Sequence, residues 1–165
     1  MTIFIGDLEA DGLLQEASRV WCGAFLSYPD EKEYTFDNKS VDNIPSFLSG
    51  NVVVFHNGSG YDMPLLNKIY GAEKCKNIVM LDSLKMSQMM FPDIKGYSKP
   101  HSIEAWGNRF GMHKPEHEDW SRYSEEMLHR CVEDTKIGVA LMKYVIKNRW
   151  PTFIEDIKEK FNVSV

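Results

Sequence analysis

The pattern of apolar and polar positions predicts a chain that begins with strands and then alternates strands with helices. Five short apolar runs occupy residues 2–8, 19–28, 32–36, 51–57 and 77–81. The second and third runs are joined by a short turn that contains Pro29 and Asp30, which is typical of a β-hairpin. The run 51–57 is almost unbroken, which indicates a strand that is buried on both faces of a sheet, and 77–81 is expected to be another short buried strand.

Helical spacing of apolar residues predicts helices between and after these strands. Short helices are expected near residues 42–50, 59–71, 83–90 and 101–111, and a terminal helix is expected up to about Phe161. A long helix is predicted over roughly residues 123–148, because its apolar positions keep the 3.6-residue period. Residues 91–100 contain two prolines and a glycine and are expected to form a loop. The pattern therefore predicts one α/β domain over residues 1–165, with a central mixed β-sheet flanked by helices.

Composition adds limits to this picture. The 165 residues are 43% hydrophobic and 26% charged, as in globular proteins, and the formal net charge is −5. This charge argues against a broad electrostatic grip on nucleic acid but permits an acidic site that cations neutralise. No signal peptide and no apolar stretch of the ~18–20 residues that a membrane span needs is found. The three cysteines have no zinc spacing, and we expect reduced thiols in a cytoplasmic protein.

Four carboxylates stand at places where an α/β sheet would bring them together. Asp7 and Glu9 end the first strand and share one of its faces, because side chains two residues apart in a strand point the same way. Asp62 starts a predicted helix, and Asp134 lies on the long helix at the edge of its apolar stripe. Singly, each has a structural explanation as a solvated or helix-terminal acid. Together they predict a site for two divalent cations, Mg²⁺ or Mn²⁺, of the kind that can flank a phosphodiester.

The segments that carry these acids resemble a known enzyme family. "DLE" at 7–9, "HNGSGYD" at 56–62 and "HRCVED" at 129–134 resemble the three ordered motifs of the DEDD (DnaQ-like) superfamily of 3′-to-5′ exonucleases. Within it, the chain is similar to the proofreading domain of phage A-family DNA polymerases over nearly its whole length to about residue 146. "IVMLDSLKMSQMM" and "HSIEAWGNRFG" look like the segments that those domains carry between the second and third motifs. The resemblance implies a ribonuclease H-like fold.

The third motif departs from those phage domains, which have a tyrosine four residues before the last aspartate. Arg130 occupies that position here, whereas His129 lies five residues before Asp134 and matches the histidine (DEDDh) branch. A histidine can accept a proton from water near neutral pH. Five residues separate two helical side chains by about 140°, so His129 would approach the site from its flank. Arg130 is closer to Asp134 on the helix and is expected to pair with an acid or to contact phosphate.

The resemblance implies a division of labour among these residues. Asp7, Glu9 and Asp134 hold one ion and the attacking water, Asp62 supports the second ion, and His129 is the general base. Contacts to the substrate are implied for the backbone at Ala10, Asp11 and Gly12, for a wedge at Leu8 or Leu13, and for Asn57, Tyr61 and His101. Trp106 is expected in the core, and the lysines and tyrosine of residues 91–100 suit a single strand but are by default a solvated loop.

The function implied is a two-metal 3′-to-5′ exonuclease on single-stranded nucleic acid ends, DNA rather than RNA. Because the chain ends soon after the third motif, we expect it to act alone or as a separate proofreading subunit with a phage polymerase, in the host cytoplasm and without a membrane partner. Two alternatives stay open from the sequence. One is the same chemistry on short RNA, and the other is a catalytically silent module of the same fold that binds nucleic acid or a polymerase.

Overall fold

A computed structural model describes residues 1–161, and it consists of one five-stranded sheet with helices on both faces. The strands are β1 (Ile3–Ala10), β2 (Val20–Tyr28), β3 (Glu33–Phe36), β4 (Val52–Phe55) and β5 (Val79–Asp82). The helices are α1 (Ile44–Leu48), α2 (Asp62–Tyr70), α3 (Ala72–Cys75), α4 (Ser83–Met90), α5 (Ile103–Arg109), α6 (Glu125–Asn148) and α7 (Phe153–Lys160), and a 3-10 turn (Val41–Asn43) precedes α1.

The sheet is mixed, as the sequence predicts. Its strand order is β3-β2-β1-β4-β5, with β1 antiparallel to β2, β2 antiparallel to β3, and β4 parallel to both β1 and β5. The hairpin and the burial of β4 on both faces are therefore confirmed, whereas β5 is an edge strand whose Val79, Met80 and Leu81 are only half-buried. Strand β1 runs two residues further than expected, to Ala10, so that Asp7 and Glu9 lie within the strand. The helix expected from residue 59 begins at Asp62, because residues 59–61 form a turn.

Side chains of β1 alternate between two cores. Phe4 and Leu8 belong to the core beneath α1 and α2, whereas Ile3 and Ile5 belong to the core beneath α6 and α7. By the two-residue period of a strand, Asp7 and Glu9 continue the row of Ile3 and Ile5 and face α6. The alternation of β1 therefore decides which helix the acidic pair meets.

Helix α6 lies very close to the centre of the sheet. A Cβ atom on Gly138 would be 2.8 Å from Cγ2 of Ile5, so glycine permits this approach. The hydroxyl of Thr135, which donates to the Cys131 carbonyl within α6 over 2.8 Å, also lies 3.3 Å from the carbonyl of Ala24 on β2. The close packing holds one face of α6 in a defined register against β1 and β2.

Among the helices of residues 1–161, none has both the length and the apolar character that crossing a membrane requires.

Candidate active site

Three carboxylates converge where β1 meets α6. Asp7, Glu9 and Asp134 each offer an oxygen, and these three oxygens lie within 4.8 Å of one another. Asp7 and Glu9 pair with Ala24 and Cys22 of β2, and the register shifts between Glu9 and Ala10. Strand alternation places the first two acids on the α6 side, and the register of α6 brings Asp134 to them. The structure thus joins acids that are more than a hundred residues apart in the chain.

A thiol helps to align α6 with the acidic strand. The buried Cys131 thiol donates to the main-chain carbonyl of Asp7 over 3.2 Å. Cys131 lies three residues before Asp134, so both side chains lie on nearly the same side of the helix. This contact, together with the Thr135 hydroxyl, positions the turn of α6 that carries Asp134.

Asp62 is the fourth predicted acid, and it lies outside the group of three. It begins α2 and is only 4% exposed, and its Oδ1 atom is buried without a hydrogen-bond partner in the part of the chain that the structure describes. The charge of Glu9 raises the pKa of Asp62, so the two carboxylates are close enough to repel. Asp62 therefore flanks the three-acid group.

Burial and mutual repulsion make these carboxyl groups hard to ionise. Burial, with repulsion from the neighbouring acids, raises the pKa of Asp7 well above 3.8. The same two causes raise the pKa of Glu9 to about 7, and burial above all raises the pKa of Asp62 to about 8. The pKa of Asp134 is also raised by burial, although nearby cationic side chains oppose the rise. Acids in this state are stabilised by any cation placed among them.

Two cationic side chains reach the acids without forming close pairs. Arg130 Nε lies 3.8 Å from Glu9 Oε1, and Lys114 Nζ lies 3.9 Å from Asp134 Oδ2. Both separations are about 1 Å longer than a charge-assisted hydrogen bond. The expected pairing of Arg130 with an acid is confirmed in this loose form. Lys114 was not predicted, because it comes from an irregular segment whose position the sequence pattern does not specify.

The donor set of the site fits hard divalent cations. Asp62 Oδ1 and Asp134 Oδ1 are buried and have no hydrogen-bond partner among the described residues, and an unpaired buried oxygen is costly. The available donors are all carboxylate oxygens, which Mg²⁺ and Mn²⁺ prefer. Asp7, Glu9 and Asp134 could share one ion, and Asp62 stands where it could support another.

Several predicted substrate residues line an open cavity beside Glu9. This cavity, of about 400 Å³, is lined by Glu9, Ala10, Gly12, Leu13, Glu16, Tyr61 and Trp120. The Tyr61 hydroxyl donates to the Gly12 carbonyl over 2.7 Å, which joins the second motif to the end of the first. Leu13 is 75% exposed and is the apolar side chain available there. Trp120, like Lys114, comes from the irregular segment and was not predicted.

Other predicted substrate residues are engaged elsewhere. Leu8 is 3% exposed in the core beneath α2, so its side chain is not available as a wedge and Leu13 is the candidate of the two. The Asp11 carboxylate accepts hydrogen bonds from the main chain of Ser18 and Arg19 and closes the following loop, which leaves its backbone as the candidate contact.

The remaining predicted residues lie around the cluster without joining it. The His101 ring is hydrogen-bonded to the Ser87 hydroxyl over 2.7 Å, and the exposed Asn57 has a left-handed φ of 65°. His129 is exposed on α6 and is not part of the three-acid group. Trp106 is 1% exposed, which confirms its expected place in the core.

Sequence comparison relates this chain to part of two phage DNA polymerases. No family model matches the chain. It is 23% identical over 189 residues to the DNA-directed DNA polymerase of Enterobacteria phage T3, an alignment that covers 89% of this chain and 27% of the polymerase. The chain thus spans about a quarter of the length of the curated relatives it matches.

Solved structures show the fold. Brucella melitensis NrnC with bound Mg²⁺ superposes with a TM-score of 0.62 at 14% identity, over 96% of this chain and 81% of that one. Escherichia coli exonuclease I in complex with a dT13 oligonucleotide has a TM-score of 0.60 at 12% identity, over 93% and 42%. These likenesses confirm the predicted ribonuclease H-like α/β fold.

Proposed function

We propose that this chain is a metal-dependent 3′-to-5′ exonuclease that removes nucleoside monophosphates from the ends of single-stranded DNA. The observation that carries the proposal is the convergence of Asp7, Glu9 and Asp134, with oxygens within 4.8 Å in a buried setting. Such a cluster is unfavourable unless cations bind it, and phosphodiester hydrolysis is chemistry that clustered carboxylates and divalent ions support. The similarity to a phage DNA polymerase favours DNA and a proofreading role in phage replication.

Each acid has a proposed task in this reaction. Asp7, Glu9 and Asp134 hold one divalent cation, and Asp62 supports a second. Two such ions supply activation of the attacking water and stabilisation of the leaving oxygen. The carboxylates keep the ions in place because their own charges are poorly solvated, so that they gain more from a cation than exposed acids would.

His129 is the proposed general base, which assigns the chain to the histidine branch. Its match to the third motif supports this role, and its exposed position on α6 requires that it reach the water from the flank of the site. The Ala10–Gly12 backbone, Leu13, Asn57 and Tyr61 are the proposed contacts to the terminal nucleotide. The cavity beside Glu9 is the space in which that nucleotide would lie.

The decisive assay follows 5′-labelled single-stranded DNA and RNA of equal sequence with Mg²⁺, with Mn²⁺ and with chelator. We expect metal-dependent shortening of DNA from its 3′ end and faster cleavage of DNA than of RNA. Preferred cleavage of RNA would transfer the proposal to an exoribonuclease. If neither polymer is shortened in either metal, the enzyme hypothesis fails and a binding module remains.

The same assay tests the proposed base. His129→Ala should lower the cleavage rate about 10²- to 10⁴-fold, the range that a general base contributes. His113→Ala, an exposed histidine outside the acidic group, is the matched control and should leave the rate unchanged. A normal rate in the His129 variant would remove this residue from the mechanism and with it the branch assignment.

A further inference from the structure

The Arg130 guanidinium is held in place while one of its donors stays unused. Its Nη1 donates to the Pro115 carbonyl over 3.4 Å, and its Cζ lies 5.3 Å from the centre of the Trp120 ring. The Trp120 carbonyl accepts in turn from the Trp21 indole over 3.0 Å. Arg130 Nε is nevertheless buried without a hydrogen-bond partner among residues 1–161. A buried charged donor without an acceptor is costly, so this arrangement calls for an acceptor.

Glu9 is not that acceptor in the present arrangement. The 3.8 Å between Nε and Glu9 Oε1 is beyond hydrogen-bond distance. A cation shared by the three acids would satisfy Glu9 and weaken its attraction for Arg130 further. The guanidinium would then face a site whose negative charge is already neutralised, and an anion would be its natural partner.

The position of Arg130 connects the acids with the cavity. Arg130 contacts Glu9 of the acidic group and packs on Trp120, which lines the cavity beside Glu9. If the terminal nucleoside lies in the cavity and its phosphate lies at the acids, that phosphate lies next to the Arg130 guanidinium. Lys114, 3.9 Å from Asp134, offers a second positive charge next to the acidic group.

We propose that Arg130, assisted by Lys114, binds the scissile phosphate of the substrate and exchanges its loose pairing with Glu9 for that phosphate when cations occupy the acids. Arginine suits this role because its planar fork can grip two phosphate oxygens at once, whereas lysine contributes a point charge. This inference rests on the proposed function, since it concerns the phosphodiester that the site would cleave. The competing role is structural: Arg130 would then only neutralise Glu9.

The experiment compares two 5′-fluorescein single-stranded DNA probes that differ in their 3′-terminal linkage, which is either a phosphodiester or an uncharged methylphosphonate. Binding is measured by fluorescence anisotropy on ice in Ca²⁺, an ion that takes the same oxygen ligands with looser geometry. The wild-type protein should bind the charged probe about tenfold more tightly. Arg130→Gln should narrow this ratio to about threefold, the part that the bound cations alone maintain, and Arg130→Lys should give an intermediate ratio.

Matched controls separate this contact from a general effect of charge. Arg122→Gln removes an arginine whose side chain is 81% exposed, and Lys136→Gln removes a lysine that is 46% exposed on α6. Both should keep the wild-type ratio, while Lys114→Gln should narrow it less than Arg130→Gln does. Titration with Mn²⁺ should show ion binding to Arg130→Gln at least as tight as in the wild type, because this variant loses the positive charge next to Glu9.

The outcomes are distinguishable. If Arg130→Gln keeps the full ratio between the probes, the guanidinium does not contact the phosphate and the structural role stands. If Arg130→Gln weakens both probes equally, Arg130 acts on another part of the substrate and the inference is again overturned. A wild-type protein that neither binds nor shortens a 3′ end would defeat the proposed function itself, and this inference with it. Should the glutamine variant fail to fold, the Arg130→Lys ratio decides alone: an unchanged ratio overturns the inference.

Discussion

Two strands of the same sheet, β5 and β1, carry acids near their ends whose pKa values are shifted in opposite directions. Asp82, at the end of β5, is 9% exposed, and its carboxylate accepts hydrogen bonds from the main-chain N–H groups of Asn57, Ser59 and Leu84 and from the Ser59 hydroxyl. Although burial raises the pKa of Asp82, these hydrogen bonds lower it to a net value below 3.8. At the end of β1, Asp7 and Glu9 have raised pKa values.

The difference lies in the donors that surround each acid. Asp82 caps α4 and also ties the turn before α2 to the sheet, so its charge is satisfied within the fold. The acids at β1 meet other acids and two loosely placed cationic side chains, Arg130 and Lys114. One oxygen each of Asp62 and Asp134 has no hydrogen-bond partner among residues 1–161. A carboxylate that is satisfied internally stabilises the fold, whereas one left unsatisfied stores a free-energy cost that a bound cation relieves. This contrast generates the following predictions.

The largest effect is expected for Asp7→Asn. Cleavage should fall by about 10³-fold or more, comparable with the loss of a major electrostatic element in other enzymes. The melting temperature in chelator should rise by roughly 2–4 °C, because a repulsive buried charge worth about 1 kcal/mol is removed. Single-turnover cleavage and calorimetry measure the two effects, and Asp93→Asn, at an exposed loop position, is the control. A variant that loses both activity and stability would contradict the view that Asp7 is a liability to the fold.

The opposite result is expected for Asp82→Ala. The variant should lose about 2–3 kcal/mol of unfolding free energy, because a helix cap disappears and buried N–H groups lose their acceptor. Urea denaturation measures the loss. Ser59→Ala, which removes a single hydroxyl donor to Asp82, should cost only about 1 kcal/mol. If Asp82→Ala were as stable as the wild type, the claim that the Asp82 carboxylate stabilises the fold would be wrong.

The smallest effect concerns pH in the absence of metal. The pKa values of Glu9 and Asp62 are raised to about 7 and about 8. As pH rises from 5, the folded protein therefore releases these protons only around pH 7 and pH 8, whereas the unfolded chain releases them near pH 4. Stability should therefore decrease as pH rises through this range. We expect the unfolding free energy to fall by about 2 kcal/mol between pH 5 and pH 8, which corresponds to a fall in melting temperature of roughly 4–8 °C.

Thermal melts in chelator across this pH range measure the effect. Saturating Mg²⁺ should oppose it, because a ligand that binds only the folded state stabilises that state. Asp62→Asn should reduce the slope, since one of the two proton-binding groups is removed. A melting temperature that rises from pH 5 to pH 8 in chelator would contradict the raised pKa values.

Much of the fold follows from local patterns. The hairpin, the buried strand β4 and the long helix were predicted from a turn signal, an unbroken apolar run and a 3.6-residue period, because each of these local signals is unambiguous. Segments with weak local signals were not: α3 (Ala72–Cys75) was not expected, and α2 starts later than its turn residues suggested. Short elements depend on the packing around them more than on their own sequence.

The candidate site shows the same division. Asp7, Glu9, Asp62 and Asp134 were predicted because their spacing along strand and helix carries a recognisable pattern. Lys114 and Trp120 were missed, since residues 112–124 are irregular before α6 begins and no period shows which way their side chains point. Leu8 is buried because it lies on the opposite face of β1 from Asp7 and Glu9. The sequence predicts this alternation but not which face of the strand packs against α6.

The sequence by itself determined the order of the strands and of the long helix, and it identified the four acids as candidate site residues. Both depend on periodicity and residue type, which are local properties. Only the tertiary structure decided which acids share a space, that Arg130 rather than His129 touches the group, and that the acids at β1 stay unsatisfied while Asp82 does not. Those properties depend on distances between residues far apart in the chain. Such distances are set by packing, which the helical and strand periods do not encode.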